Sequence, residues 1–431
     1  MLVISVVLLL ILFLVIGMPV GFAIGCAGAI GLYAVGGIPM LLSILNTTPF
    51  STAAHYELMT IPMFILMAEF IVVSGVADEL FDTVNAWVAS IRGGLGISTV
   101  ITGAAFGAVC GSSAASAATL SSTAIPQMVK HGYEKKLASG LTAIVGTLAV
   151  MIPPSNGLVI YGIIGDVDLG KLLVAGFFPG VLGALTLTIA LRYLLWRNPA
   201  RGGGSAANRV PMREKMRLLK GIWPMLVLFI LVTGVLYLGV ATPTEAASMG
   251  AFGAFVLALV RRKLDAARIY RALTRTARTS TMITMIIIGA LIFGYFLTIT
   301  ETTQNIVGGI GALHSPRWVI LALIVCVYIV LGCFLDQVAI LVLTVPITLP
   351  IITALHYDPV WFGIIVTLTS EIGLVTPPFG LNAFIVSKTA DTPVEQVFAG
   401  VTPFFLAMAV LLVVLASFPE LVLWIPNSMP R

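Results

Sequence analysis

The chain of 431 residues is 59% apolar and 10% charged, against roughly 45–50% and about 25% in soluble proteins. So much apolar side chain cannot be covered by the polar surface available, which excludes a water-soluble globular protein. The formal charge of +5 comes from basic residues gathered between apolar stretches, a pattern of loop orientation and anionic-lipid contact rather than nucleic-acid binding.

Stretches long enough to cross a bilayer, about 17–25 residues each, begin with 1–17, 19–36 and 58–75. The first has no charged leader and no small-residue cleavage site, so a retained helix is expected. Residues 76–91 read as an amphipathic helix lying in the membrane interface. Val76, Leu80, Val84, Trp87, Val88 and Ile91 form its apolar stripe, with Asp78, Glu79, Asp82 and Asn85 elsewhere. Stretch 96–128 carries Cys110-Gly-Ser-Ser-Ala-Ala-Ser116 at its centre and reads as a re-entrant hairpin or as two spans. Small residues alone permit close helix packing. A break there exposes carbonyls and amides that are tolerated only where buried or lining a cavity. Span 137–164 is interrupted at Ile152-Pro-Pro-Ser-Asn156, where two missing amides leave upstream carbonyls without helical partners. Span 171–195 follows, and then 198–220, with Arg201-Gly-Gly-Gly-Ser205, a flexible linker expected in the cytoplasm.

The second half repeats the plan with spans at 221–240, 244–260, 280–298, 358–387 and 397–424. An amphipathic segment at 300–315 carries Ile306, Ile310 and Leu313, and a hairpin at 316–350 places Asp336-Gln337 where the first has Ser112-Ser113. Span 358–387 is broken at Thr376-Pro-Pro-Phe-Gly-Leu-Asn382. An offset of 224 residues carries Pro153-Pro154 onto Pro377-Pro378, Pro19 onto Pro243, Pro126 onto Pro350 and Pro179 onto Pro403. The expected fold is therefore an all-α polytopic membrane protein of two fused copies, 1–197 and 221–425, each of five spans and one hairpin. With the amino terminus outside, 20 of the 23 Lys and Arg residues fall on cytoplasmic loops. Five is odd, so the copies insert upside down relative to each other. That inverted repeat is the plan of alternating-access carriers, with the site near mid-membrane at the repeat interface.

Carbonyls and hydroxyls at the breaks are hard oxygen donors suited to Na⁺, and half-helix amino termini suit an anion. A carboxylate such as Asp336 at the bilayer centre costs about 3 kcal/mol, so it is a functional candidate that a bound cation would stabilise. Glu371 lies near the second break and is a candidate assistant, whereas Glu69 and Glu245 read as hydrogen-bonded packing or subunit-contact residues. Ser113, Ser116, Asn156, Gly380 and Asn382 are the candidate solute contacts. Cys26, Cys110, Cys326 and Cys333 form no CxxC or Cys/His cluster and are expected to be buried free thiols. The sequence carries no Walker motif, catalytic triad or clustered metal ligands, so neither ATP-driven transport nor an enzyme is expected.

Gly107-Ala-Val-Cys-Gly-Ser-Ser-Ala-Ala-Ser116, Gly146-Thr-Leu-Ala-Val-Met-Ile-Pro-Pro-Ser155 and Thr376-Pro-Pro-Phe-Gly-Leu-Asn-Ala-Phe384, in this order, resemble the large membrane subunit of tripartite ATP-independent periplasmic (TRAP) transporters, the DctM/SiaM type. The resemblance spans essentially the whole chain. It implies a Na⁺-coupled elevator carrier of the bacterial inner membrane, with both termini periplasmic by the charge reading above. Its implied partners are a small four-span Q subunit and a periplasmic substrate-binding P subunit that delivers a small organic anion. It also implies two Na⁺ sites made largely of backbone carbonyls. The first falls at Cys110, Ser112, Ala149, Ile152 and Pro154, and the second at Phe334, Asp336, Gly373, Thr376 and Pro378. The family commonly has Ser at position 110 and Gly at 149, so Cys110 removes a side-chain oxygen while backbone ligation survives. The rival reading is a stand-alone Na⁺/dicarboxylate symporter of the divalent-anion family.

Overall fold

The computed structural model describes residues 1–88, 91, 93–202, 211–312 and 316–429. Most of the linker tract, Arg92, Leu313 and Arg431 lie outside the described residues, as does the side chain of Ile310. The first half forms α1 (Leu2–Val15), α2 (Val20–Ala53), α3 (Thr60–Ser74), α4 (Val76–Val88) and α5 (Gly94–Cys110). It continues with α6 (Ser113–Lys130), α7 (Lys135–Met151), α8 (Asn156–Gly165), α9 (Leu169–Ala175) and α10 (Phe177–Arg197). The second half forms α11 (Met212–Tyr237), α12 (Pro243–Val260), α13 (Ala266–Ile299), α14 (Thr302–Ala312) and α15 (Arg317–Gly332). It ends with α16 (Gln337–Ala354), α17 (Pro359–Gly373), α18 (Leu381–Thr389), α19 (Val394–Ser417) and α20 (Glu420–Asn427). Among the described residues no strand forms, and one antiparallel bridge joins Tyr133 to Gly202.

Eight of these helical segments are long and apolar enough to cross a bilayer, and the bent pair α7–α8 makes a ninth. The chain is a polytopic helical membrane protein. Its elements recur at the sequence offset: α6 and α16 begin at Ser113 and Gln337, and α7 and α17 at Lys135 and Pro359. Both Pro–Pro peptide bonds, 153–154 and 377–378, are cis.

Two helices are longer than the apolar pattern suggests. α2 runs 34 residues because a break at Gly37 (φ 66°, ψ −163°) redirects the chain without ending the helix, a conformation open to glycine and costly for other residues. α13 also runs 34 residues, starting at Ala266 rather than near 280, because Asp265 caps it through Arg268 N at 2.6 Å. Basic side chains then carry its first turns out of the apolar zone.

The core lies around α7 and α17. Every residue from Leu137 to Met151 and from Val360 to Gly373 is buried, the polar Ser139, Thr142, Thr147, Thr367, Thr369, Ser370 and Glu371 included. Tyr161 OH donates to Pro359 O at 2.7 Å and Trp361 Nε1 to Leu415 O at 3.0 Å. These bonds satisfy the polar ends of two large buried rings. Around this core the return helix of each hairpin crosses to the other half: α6 packs on α18 and α16 packs on α8.

α4 takes the place expected of the first amphipathic segment, but its buried face is turned. Val76, Leu80, Phe81, Thr83 and Ala86 are buried, while Trp87 is exposed beneath Lys215 Nζ, 5.6 Å from the ring centroid. The reason is packing on two sides, against α5 and α11. Glu79 pairs with Arg261 at 2.8 Å and Thr83 Oγ1 donates to Leu218 O at 3.3 Å. α14 correspondingly packs on α13 and α16. Of the cysteines, Cys110 and Cys333 are buried, Cys26 is half-buried and Cys326 is exposed on an apolar helix face, which corrects the expectation that all four are buried.

Candidate ion and solute site between the halves

The first hairpin turns at Gly111, which ends α5 in the left-handed region (φ 61°). Ser112 is extended and caps α6, its Oγ accepting from Ala115 N at 3.4 Å. Asn156 N donates to Gly111 O at 3.3 Å, tying the hairpin tip to the break after α7. A Cβ at position 111 would stand 2.7 Å from Pro154 O, so only glycine fits both the torsion and the space. In the break itself Ile152 is extended (φ −86°, ψ 125°), and Ser155 caps α8 through Leu158 N at 3.2 Å. α7 and α8 bend by 45° there. Pro153 and Pro154 have no amides to return to Ala149 O and Val150 O, so these carbonyls end the helix as free donors of electron density.

The second hairpin repeats the cap with a charge. Asp336 stands 224 residues after Ser112 and caps α16, its Oδ1 accepting from Ala339 N at 3.1 Å. At the break, Thr376 N donates to Gly373 O at 2.9 Å and Asn382 N to Leu374 O at 3.1 Å. Thr376 Oγ1 turns back to Ile372 O at 2.7 Å. Gly373 and Gly332 touch through their backbones, and a Cβ on Gly373 would lie 2.6 Å from Gly332 Cα. Phe334 packs on Phe379, ring centroids 5.7 Å apart, both rings largely exposed. The two breaks differ in burial: residues 152–155 are buried, whereas 377–379, including Pro378, are exposed and Gly380 is buried.

The halves meet at Glu371. It is fully buried; its Oε1 accepts from Ser113 Oγ at 3.1 Å, and its Oε2 has no partner among the described residues. Ser116 Oγ, Gln337 Nε2 and both amide atoms of Asn382 are likewise buried and unpartnered. Gln337 reaches across to α8, where a Cβ on Gly157 would come within 2.5 Å of its Nε2. Each such orphan group costs about 1–3 kcal/mol. Glu371, Ser116, Gln337 and Asn382 lie on α17, α6, α16 and α18, of which α6 packs on α18 and α16 on α17. Such orphan groups make this region the candidate polar-ligand site. The donors are carbonyls, hydroxyls, amides and carboxylates, a hard-oxygen set that fits Na⁺. Among the described residues no three His, Cys, Asp or Glu side chains group as they would for a transition metal.

Residues 7–421 match the family model described as the tripartite ATP-independent periplasmic transporter, DctM component. The chain belongs to this family. It is 34% identical over 407 residues to the C4-dicarboxylate TRAP transporter large permease protein DctM of Pseudomonas aeruginosa, covering 94% of each chain. It is 32% identical over 402 residues to the isethionate TRAP transporter permease protein DctMQ of Oleidesulfovibrio alaskensis, covering 92% of this chain and 62% of that longer one. In fold it resembles the YdaH transporter of Alcanivorax borkumensis, with a TM-score of 0.66, 14% identity and coverage of 88% and 89%.

In this DctM-family permease the residues singled out in the sequence fall into three groups. Cys110, Ser112, Ala149, Ile152 and Pro154 come together where the first hairpin tip meets the first break. Phe334, Asp336, Gly373, Thr376 and Pro378 line the second hairpin turn and the second break. Ser113 and Ser116 lie on α6 and Asn382 on α18, two helices that pack together, while Asn156 and Gly380 stand at the starts of the half-helices α8 and α18. Two expectations change. Asp336 is an exposed helix cap rather than an isolated carboxylate, because its side chain replaces a missing turn of helix. The buried carboxylate is Glu371, and its partner Ser113 comes from the other half of the chain. The signal for it was in the sequence: one charged residue, Glu371, inside a segment otherwise uncharged from Val360 to Leu374.

Proposed function

We propose that this permease carries a small organic anion into the cell by Na⁺-coupled secondary active transport. A periplasmic binding protein hands over the solute, and a small four-span membrane subunit serves as partner in the bacterial inner membrane. The observation that carries the reading is the pair of broken spans, each with a capped hairpin tip and each crossing onto the other half. Na⁺ binds at the carbonyl-rich junctions: Cys110, Ser112, Ala149, Ile152 and Pro154 on one side, and Phe334, Asp336, Gly373, Thr376 and Pro378 on the other. Its charge offsets that of the solute, which Ser113, Ser116, Asn156, Gly380 and Asn382 contact between the hairpins. α5–α10 and α15–α19 move as one body against the scaffold α1–α3 and α11–α13. The halves are inverted copies, so exchanging their conformations turns an inward-open state into an outward-open one.

The relatives' names fix the class of cargo they carry: a C4-dicarboxylate for one and isethionate for the other. Both are small anions, which is the class proposed here. The test is uptake by proteoliposomes holding the chain with its two partner proteins. Uptake should rise with an inward Na⁺ gradient, with at least two Na⁺ entering per solute. Undiminished uptake in Na⁺-free buffer under a proton gradient alone overturns the coupling.

A further inference from the structure

Where α3 meets the first turns of α13, Glu69, Val73, Arg268, Arg271, Ala272 and Arg275 line a cavity of about 190 Å³. The arginines, three and four residues apart, project from one helix face. Val73 and the buried Ala272 make an apolar floor. Three guanidiniums thus meet one carboxylate. Arg275 approaches Glu69 at 3.6 Å, and Arg268 is held by Asp265 at 3.3 Å and by Lys263 O at 2.7 Å. Arg271 bonds only the carbonyl of Ala267 within its own helix, at 3.3 Å, and has no carboxylate partner among the described residues.

The repeat supplies an internal comparison. The positions 224 residues earlier are Ile44, Thr47 and Ser51, so the fold does not need cations at this place. Charge-based loop orientation accounts for how many arginines lie near α13, but not for their convergence on a cavity opposite Glu69. The cavity is smaller than the roughly 300–1,000 Å³ typical of drug-sized ligands, yet wide enough for an anionic group. Planar guanidiniums bind phosphate oxygens in pairs. Beside it, Val72, Tyr270 and Leu273 are exposed on α3 and α13, where acyl chains would lie.

We propose that this cavity binds the phosphate of an anionic membrane lipid, whatever solute the permease carries. Basic pockets between spanning helices on the cytoplasmic side take such headgroups. The test uses the full chain, purified and delipidated, offered dioleoylphosphatidylglycerol or dioleoylphosphatidylcholine at equal mole fraction. Bound lipid is counted by native mass spectrometry. Phosphatidylglycerol should be retained about tenfold or more over phosphatidylcholine, given what each basic residue contributes near an anionic surface. R271Q should remove most of that preference, and R268Q/R271Q all of it. R278Q, an equal loss of charge on an exposed residue outside the cavity, should retain it. Equal retention of the two lipids, or an equal loss in R278Q and R271Q, overturns the site. A parallel arm measures thermal stability with millimolar inorganic phosphate. If free phosphate raises the melting temperature of the wild type but not of R271Q, while phosphatidylglycerol does neither, the ligand is a soluble phosphate and the lipid assignment fails.

Discussion

Asp336 and Ser112 do the same structural job with different charge, and that separates folding from ion binding. Aspartate, asparagine and serine cap helices about equally, and alanine costs about 1 kcal/mol. D336N and D336S should therefore leave stability in detergent unchanged. Both should raise the Na⁺ concentration for half-maximal uptake about tenfold or more, since a unit charge about 4 Å away is worth ~1–4 kcal/mol between dielectric constants of 80 and 20. Unchanged Na⁺ dependence would make Asp336 a cap and nothing else. Glu371 calls for a different comparison. E371Q keeps an oxygen for the Ser113 hydroxyl, whereas E371A strands it. Uptake should fall by more than about tenfold in E371A, with a melting temperature lowered by several degrees, because a buried group loses its partner. If both variants transport like the wild type, the contact between the halves has no part in the cycle.

At the scale of elements, the Gly332–Gly373 contact sets how closely α15 lies on α17. G373A adds a Cβ that would stand 2.6 Å from Gly332 Cα and 2.8 Å from Ile329 O, and backbone cannot swing aside as a side chain can. Wild-type expression with uptake reduced at least about tenfold is expected, because the added atom displaces the hairpin from the break it contacts. Normal uptake would mean that this contact opens during the cycle at no cost. Much at this scale was legible in the sequence. Prolines mark helix breaks by chemistry, so Pro153-Pro154 and Pro377-Pro378 pointed to the ends of α7 and α17. Helix extent was less legible. Gly37 and the basic residues after Asp265 look like ends, yet the chain stays helical through both, because a redirected or polar helix still satisfies its own backbone. The turned face of α4 was hidden for a related reason: its neighbours come from α5 and α11, which no local pattern contains. The partner of Glu371, 258 residues away, was hidden in the same way.

For the whole molecule the expected motion is a slide of α5–α10 with α15–α19 past the scaffold. A cysteine pair joining a hairpin tip, at Ser112 or Asp336, to a scaffold helix should crosslink in one state only and block uptake until reduced. A crosslink that forms and leaves uptake intact would replace the slide with a local gate. The unequal burial of the two Pro–Pro breaks extends this. One is sealed within protein at residues 152–155, and the other lies open at 377–379. On the proposed inverted plan, a second arrangement exists in which the two halves trade environments. Cysteines at Ser155 and Phe379 should accordingly react with an impermeant maleimide in alternation, each from its own side of the membrane. Shifting the Na⁺ concentration should then move reactivity from one to the other, like the two pans of a balance.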